Sequence, residues 1–145
     1  MRKTVCLITT LTDQPDNLMT WLESVKKYID YWVIGICNHT NQSNEINQII
    51  TDYFARQNIP GEFHYVDNKN QTLHTAHNKA DYALIIDTSN ILSGDLKLPD
   101  NMDADAYTLK SKTNEFITKK IHLIENRNLT WCYVGFYSIE CDHIR

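Results

Sequence analysis

Short apolar runs alternate along the chain with stretches of helical spacing. Residues 4–9 form a compact β-branched run closed by Thr10 and Thr12, which predicts a buried strand. Pro15 and Asp16 then open a helix in which Leu18, Leu22, Val25 and Ile29 recur at helical intervals on one side. Residues 31–37 make a second apolar run, followed by a polar loop over 38–44. Ile46, Ile49, Ile50, Tyr53 and Phe54 share one face of a second helix. Asn58-Ile59-Pro60-Gly61 ends it, because proline cannot continue the ladder and glycine tolerates the turn. Residues 62–66 read as a third strand and 70–80 as a weaker helix with Leu73, Ala76 and Ala80 inward. Residues 82–86 read as a fourth strand ending at Asp87.

Strand and helix in strict alternation specify an α/β fold: a mostly parallel, Rossmann-like sheet with helices on both faces. After Asp87 the pattern changes. Residues 106–110, 116–125 and 131–139 read as strands with no long helix between them, which suits an antiparallel C-terminal extension. The expectation is one domain over 1–145, with a nucleotide-binding half over 1–90 and a smaller extension over 91–145. There is no internal repeat, low-complexity tract or linker.

Composition narrows the function. Hydrophobic residues make up 42% and charged residues 22% of 145, the balance of a globular domain with one core. Fourteen Lys and Arg against 18 Asp and Glu give a net charge of -4, which argues against nucleic acid or an anionic lipid surface as partner. The apolar runs fall far short of the roughly 20 residues needed to span a bilayer. Met1-Arg2-Lys3 before an apolar run mimics a leader peptide, but the polar Thr9, Thr10, Thr12 and Asp13 favour a first strand, and a cytoplasmic location is expected. Cys6, Cys37, Cys132 and Cys141 lack the spacing of a zinc knuckle or redox pair and suit structural thiols. Four glycosylation sequons matter only in a secreted chain.

Ligands of an open parallel sheet bind beyond the carboxyl ends of its strands, where the strand order reverses. Those ends carry Thr9-Thr10-Leu11-Thr12-Asp13, Cys37-Asn38-His39, Asp67-Asn68-Lys69 and Asp87-Thr88-Ser89-Asn90. With only Gly35, Gly61, Gly94 and Gly135 in the chain, both the P-loop and the dinucleotide fingerprint are excluded. A nucleotide would be held without a glycine cradle.

Five separated blocks carry a family resemblance: residues 22–34 (LESVKKYIDYWVI), 58–62 (NIPGE), Asn68-Lys69, 80–87 (ADYALIID), and the pair 106–109 (AYTL) with 131–135 (WCYVG). In that order they resemble the GT-A glycosyltransferases of family 2, over nearly the whole chain. The resemblance implies a GT-A-like fold and transfer of a sugar from a nucleotide-diphospho-sugar, most plausibly a UDP-sugar, to a glycan or protein acceptor. It places Thr9, Thr10, Asp13 and Cys37 around the nucleoside, with Asn68 and Lys69 toward the phosphates. Asp87 and Ser89 would hold Mn²⁺ or Mg²⁺, with Asp87 also serving catalysis.

The chain departs from the family pattern at these same positions. The family's Lys-Asn-Glu after the first strand reads Thr12-Asp13-Gln14, its nucleoside Asp becomes Ile36 or Cys37, and its Asn-Arg becomes Asn68-Lys69. Its Asp-Ala-Asp metal motif reads Asp87-Thr88-Ser89, one carboxylate short, and hard divalent cations prefer oxygen ligands of that kind. Lys69 offsets phosphate charge as a point donor rather than a planar fork. The His-Glu pair expected near the end is missing. Glu140 and Asp142 lie nearest the region where a carboxylate base would take the acceptor proton.

Plainer explanations compete for each residue. Asp87 suits a turn cap, Thr9 and Thr10 suit a strand, and Trp21, Trp32 and Trp131 suit core packing, although Trp131 also suits an acceptor site. His74 and His77 share a helix face, but His39 does not complete a zinc set with them. Three functional readings follow. The first is a small metal-assisted glycosyltransferase, and the second is an inactive GT-A domain acting as a binding or assembly module. The third is a homodimer whose second copy completes the acceptor side through Phe116, Ile117, Phe136 and Tyr137.

Overall fold

The computed structural model describes residues 3–12, 16–37, 43–88, 91–92, 102–112, 117–127, 131–134 and 138–141. Alternation resolves into β1 (Val5–Leu11), α1 (Leu18–Val25), a 3₁₀ turn (Lys26–Tyr28), β2 (Tyr31–Ile36), α2 (Ser43–Arg56), β3 (Gly61–Tyr65), α3 (Lys69–Thr75) and β4 (Tyr82–Ile85). β5 (Ala106–Lys112), β6 (Ile117–Glu125), β7 (Trp131–Val134) and β8 (Ser138–Cys141) follow. The protein is α/β, with a six-stranded sheet in the order β3-β2-β1-β4-β6-β5 and a separate two-stranded sheet of β7 and β8. The first four strands are parallel, β6 runs antiparallel to β4, and β5 runs antiparallel to β6.

Helices cover both faces, as the alternation predicts. On one face Val5, Leu7 and Leu11 of β1 pack with Leu18, Trp21, Leu22 and Val25 of α1 and Ile46, Ile50, Tyr53 and Phe54 of α2. On the other, Cys6 and Ile8 of β1 pack with Val33, Ala83, Ile85, Leu73, Ala76 and Trp131. Each fully buried aliphatic side chain contributes roughly 1.5–3 kcal/mol by leaving water. Burial pushes the Cys6 thiol up to about 12, so it packs as an inert hydrophobe, as expected.

Three sequence boundaries are corrected. β1 continues past Thr9 to Leu11, because Thr10 and Leu11 still pair with Gly35 and Ile36. The third helix stops at Thr75 rather than residue 80. Asn126 donates from Nδ2 to the Ala76 carbonyl at 2.7 Å, and Asn78, at φ 67, donates its N–H to the Asn126 carbonyl. Tertiary bonds thereby replace the helical ones. The run 131–139 is a hairpin of two strands, with Trp131 opposite Cys141 and Val134 opposite Ser138. β5 and β6 extend the main sheet as antiparallel strands, and β7 and β8 form a separate ribbon. The predicted start of the sixth strand at Phe116 lies outside the described residues.

Gly35 explains how closely α3 approaches the sheet. A Cβ there would sit 2.3 Å from Thr72 Oγ1 and 2.9 Å from Val66 Cγ2, so the helix rests directly on the β2 backbone. No helix among the described residues is long and apolar enough to cross a membrane.

Candidate functional site

The chain builds β1, β2 and β3 outward in one direction, then crosses back through α3 to place β4 on the other side of β1. The order therefore reverses between β1 and β4, and their carboxyl ends flank the crevice where open α/β sheets take ligands. Thr9 to Thr12 arrive from β1, Asp87 and Thr88 from β4, Cys37 from β2, and Asp67 to Lys69 from the β3–α3 connection.

Thr9 and Thr10 point to opposite faces, as successive strand residues must. Thr9 is 1% exposed, and its Oγ1 has no hydrogen-bond partner. It shares the face of Leu7 and Leu11 beneath α1, where the Trp21 indole N–H is also buried without a partner. An unpaired buried hydroxyl costs about 1–3 kcal/mol, so a purely structural role would favour valine here. Thr10 instead bonds Thr72 Oγ1 at 2.8 Å on the α3 face, above Gly35. That bond gives Thr10 a packing role.

Cys37 is half-buried, and its N–H donates to the Leu11 carbonyl at 2.7 Å, locking the β1 and β2 ends together. Burial pushes its thiol up, the nearby Asp67 charge adds to this, and Lys69 opposes it. Asp67, Lys69 and Cys37 are thus neighbours in one electrostatic cluster. Asn68 caps α3: its backbone is extended, and its Oδ1 accepts from the Gln71 N–H at 3.1 Å. Gln71 reaches back to accept from the Asp67 N–H at 2.7 Å. The side chain of Asn68 is therefore engaged in folding the turn that positions Lys69.

Asp87 is half-buried just beyond β4. Among the described residues its carboxylate accepts no hydrogen bond and forms no ion pair, and the turn it would cap, at Ser89 and Asn90, lies outside them. Asp13 and Ser89 lie outside the described residues. Glu140 lies on β8, opposite Cys132 in the separate ribbon. Trp131 is 3% exposed in the α3-side core, and Trp32 stacks on Phe54 at 5.1 Å, so the tryptophans pack the interior.

The family resemblance implies a divalent cation held by Asp87 and Ser89, of which only Asp87 belongs to the described residues. Among the described residues no three His, Cys, Asp or Glu side chains come together to hold a metal ion. His74 and His77 belong to no such group either. Asp87 is a single carboxylate, which does not make a protein-held cation shell.

One polar group at this edge escaped the sequence reading. His122 of β6 faces the end of β4, and its Nδ1 donates to the Ile85 carbonyl at 2.8 Å. The β5–β6 register jumps from Tyr107 opposite Leu123 to Thr108 opposite Ile121, leaving His122 as the extra residue of a bulge. Two residues from the buried Ile124 in an alternating strand, it reads as one more core-facing position, and a bulge has no signature in that alternation. Thr72 was also passed over, because Leu73, Ala76 and Ala80 satisfied the helical period without it. No family model, curated protein or solved structure matches the chain.

Proposed function

We propose that the protein binds a nucleotide-diphospho-sugar, most plausibly a UDP-sugar, as a small GT-A-type glycosyltransferase domain, and transfers the sugar to a glycan or protein acceptor. One observation carries the reading. Asp87, half-buried at the β1/β4 reversal point, keeps its carboxylate clear of every described hydrogen-bond donor and cation. A carboxylate held partly out of water at this position is suited to accept from the hydroxyl groups of a bound ligand. The reversal point, the sheet order with a reversed β6, and the family resemblance support the same assignment.

In this reading the nucleoside lies over the carboxyl ends of β1 and β2, near Thr9, Asp13 and Cys37. Lys69, placed by the Asn68 cap, offsets diphosphate charge as a point donor. The buried Thr9 hydroxyl gains a partner from the ligand or from a water carried with it. Asp87 orients the sugar by accepting from its hydroxyl groups. Displacement at the anomeric carbon by an acceptor hydroxyl then releases the nucleoside diphosphate.

A second reading has its own support. Thr10 and Asn68 are engaged in structural bonds, and among the described residues no three His, Cys, Asp or Glu side chains gather around a metal position. Those facts favour an inactive GT-A domain that retains the fold as a binding or assembly module, including a homodimer. Calorimetric titration of UDP, with and without Mn²⁺, into the protein and into Asp87→Ala separates the two. The transferase reading expects saturable binding that weakens at least about tenfold in the variant, or about 1.4 kcal/mol. No heat under any condition would overturn it in favour of the module. A gain from Mn²⁺ that disappears in Asp87→Ala would restore the cation to the site.

A further inference from the structure

We infer that His122 is the proton acceptor of this site, taking the proton of the attacking hydroxyl through Nε2. The inference rests on the nucleotide-sugar reading and adds a residue to it that the family pattern does not supply. Three observations lead to it. First, His122 is the unpaired residue of the bulge, placed where β6 reaches the carboxyl end of β4. Bulges re-aim single side chains, and here the re-aimed residue sits level with Ile85, two residues before Asp87. Second, the bond from Nδ1 to the Ile85 carbonyl requires the proton on Nδ1, because a carbonyl can only accept. The neutral ring is thereby fixed in one tautomer, with its lone pair on Nε2. Third, His122 is half-buried, and Nε2 has no partner among the described residues.

These features match what a base needs: a fixed ring, a defined tautomer and an open lone pair. Glu140, the base expected from the chain's tail, lies on the separate β7–β8 ribbon, whereas His122 belongs to the sheet that carries Asp87. In the step, the acceptor oxygen bonds to the anomeric carbon while the carbon–oxygen bond to the diphosphate breaks. The bonding pair leaves on the diphosphate, and the hydroxyl proton passes to Nε2. The resulting imidazolium keeps its Nδ1–H bond to Ile85 and returns the proton to solvent.

The test uses the full chain labelled with ¹⁵N. Long-range ¹H–¹⁵N spectra should show His122 as the Nδ1–H tautomer, and its Nε2 resonance should move on adding UDP-glucose, UDP-galactose or UDP-N-acetylglucosamine. An Nε2–H tautomer, or a resonance that UDP-sugars leave in place, would overturn the inference without recourse to any variant. His122→Asn keeps a donor toward Ile85 and removes the base. It should bind UDP within about threefold of wild type yet release UDP from the sugar donor about 10²- to 10⁴-fold more slowly. Wild-type turnover in His122→Asn would discard the base and leave the proposed function standing. Binding of UDP with no donor cleavage by the wild type would discard the base in favour of the binding module. No UDP binding at all would discard both.

Discussion

The two edges of the main sheet handle their polar side chains in opposite ways. At the amino edge Asp30, Glu62 and Asp81 are all engaged. Asp81 accepts from the Thr4 N–H at 2.9 Å, from Thr4 Oγ1 at 3.1 Å and from Arg127 Nε at 2.7 Å. Asp30 accepts from the Val5 N–H at 2.9 Å, tying the entry of β2 to β1. Glu62 accepts from Tyr31 Oη at 2.5 Å, meets His64 Nε2 at 2.7 Å and lies 3.5 Å from Lys79 Nζ. At the carboxyl edge Thr9 Oγ1 is buried without a partner, and among the described residues neither Asp87 nor His122 Nε2 is engaged. One edge spends its polar groups on the fold. The other spends Thr10 and Asn68 on the fold and holds Thr9, Asp87 and His122 back, the expected condition of a surface shaped for a ligand.

That contrast can be broken by substitution, and the largest effect should come from the packing that supports both edges. Gly35→Val drives a branched side chain into Thr72 and Val66, and should destabilise the fold by at least about 1–3 kcal/mol in urea unfolding. An unchanged midpoint would show that α3 does not rest on β2 as described. Next, Asp81→Asn should cost about 1.5–3 kcal/mol at neutral pH, because charge-assisted bonds to Thr4 and Arg127 are lost. If the loss is negligible, the amino edge is not the anchored one.

The same group sets a pH dependence. The Thr4 N–H bond holds the Asp81 carboxyl below its usual range, against the effect of burial, and Arg127 and the Thr4 hydroxyl assist. Burial alone would raise Glu62, but Tyr31, His64 and Lys79 together bring it below its usual range. A carboxyl depressed in the folded state stabilises it above the unfolded pKa, and that contribution disappears as pH falls through the folded one. Stability should therefore decline from just above the ordinary carboxylate range downward, and Asp81→Asn should flatten part of that slope. A thermal midpoint that does not move with acid would contradict the network.

The smallest stability effects belong to the carboxyl edge. Thr9→Val should leave stability unchanged or raise it by up to about 1 kcal/mol, since it removes an unpaired hydroxyl at similar volume. The same change should weaken UDP binding. Asp87→Asn should stay within about 0.5 kcal/mol of wild type while reducing UDP affinity. A marked destabilisation by either would place these residues in the scaffold and equalise the two edges.

The sequence made the scaffold legible and the site only in part. Alternating runs located the four parallel strands and all three helices, because apolar periodicity is a local signal that burial enforces. It misjudged the end of α3, where Asn126, fifty residues beyond Ala76, captures the helix carbonyl. It merged β7 and β8, since the apolar and aromatic run over 131–139 reads as one strand. The carboxyl-end rule brought Thr9, Cys37, Lys69 and Asp87 to one edge, but could not separate Thr10 and Asn68, whose side chains serve the fold. His122 was invisible, because its role depends on a bulge between distant strands and on a bond to a backbone carbonyl, neither of which is written in residue type.

The most direct test is a map of backbone amide shifts as UDP is titrated into the ¹⁵N-labelled protein. The account predicts movement at Thr9 to Thr12, Cys37, Lys69, Asp87 and His122, with Thr4, Asp30, Glu62 and Asp81 silent. Shifts centred on the amino edge, or none at saturating UDP, would contradict it.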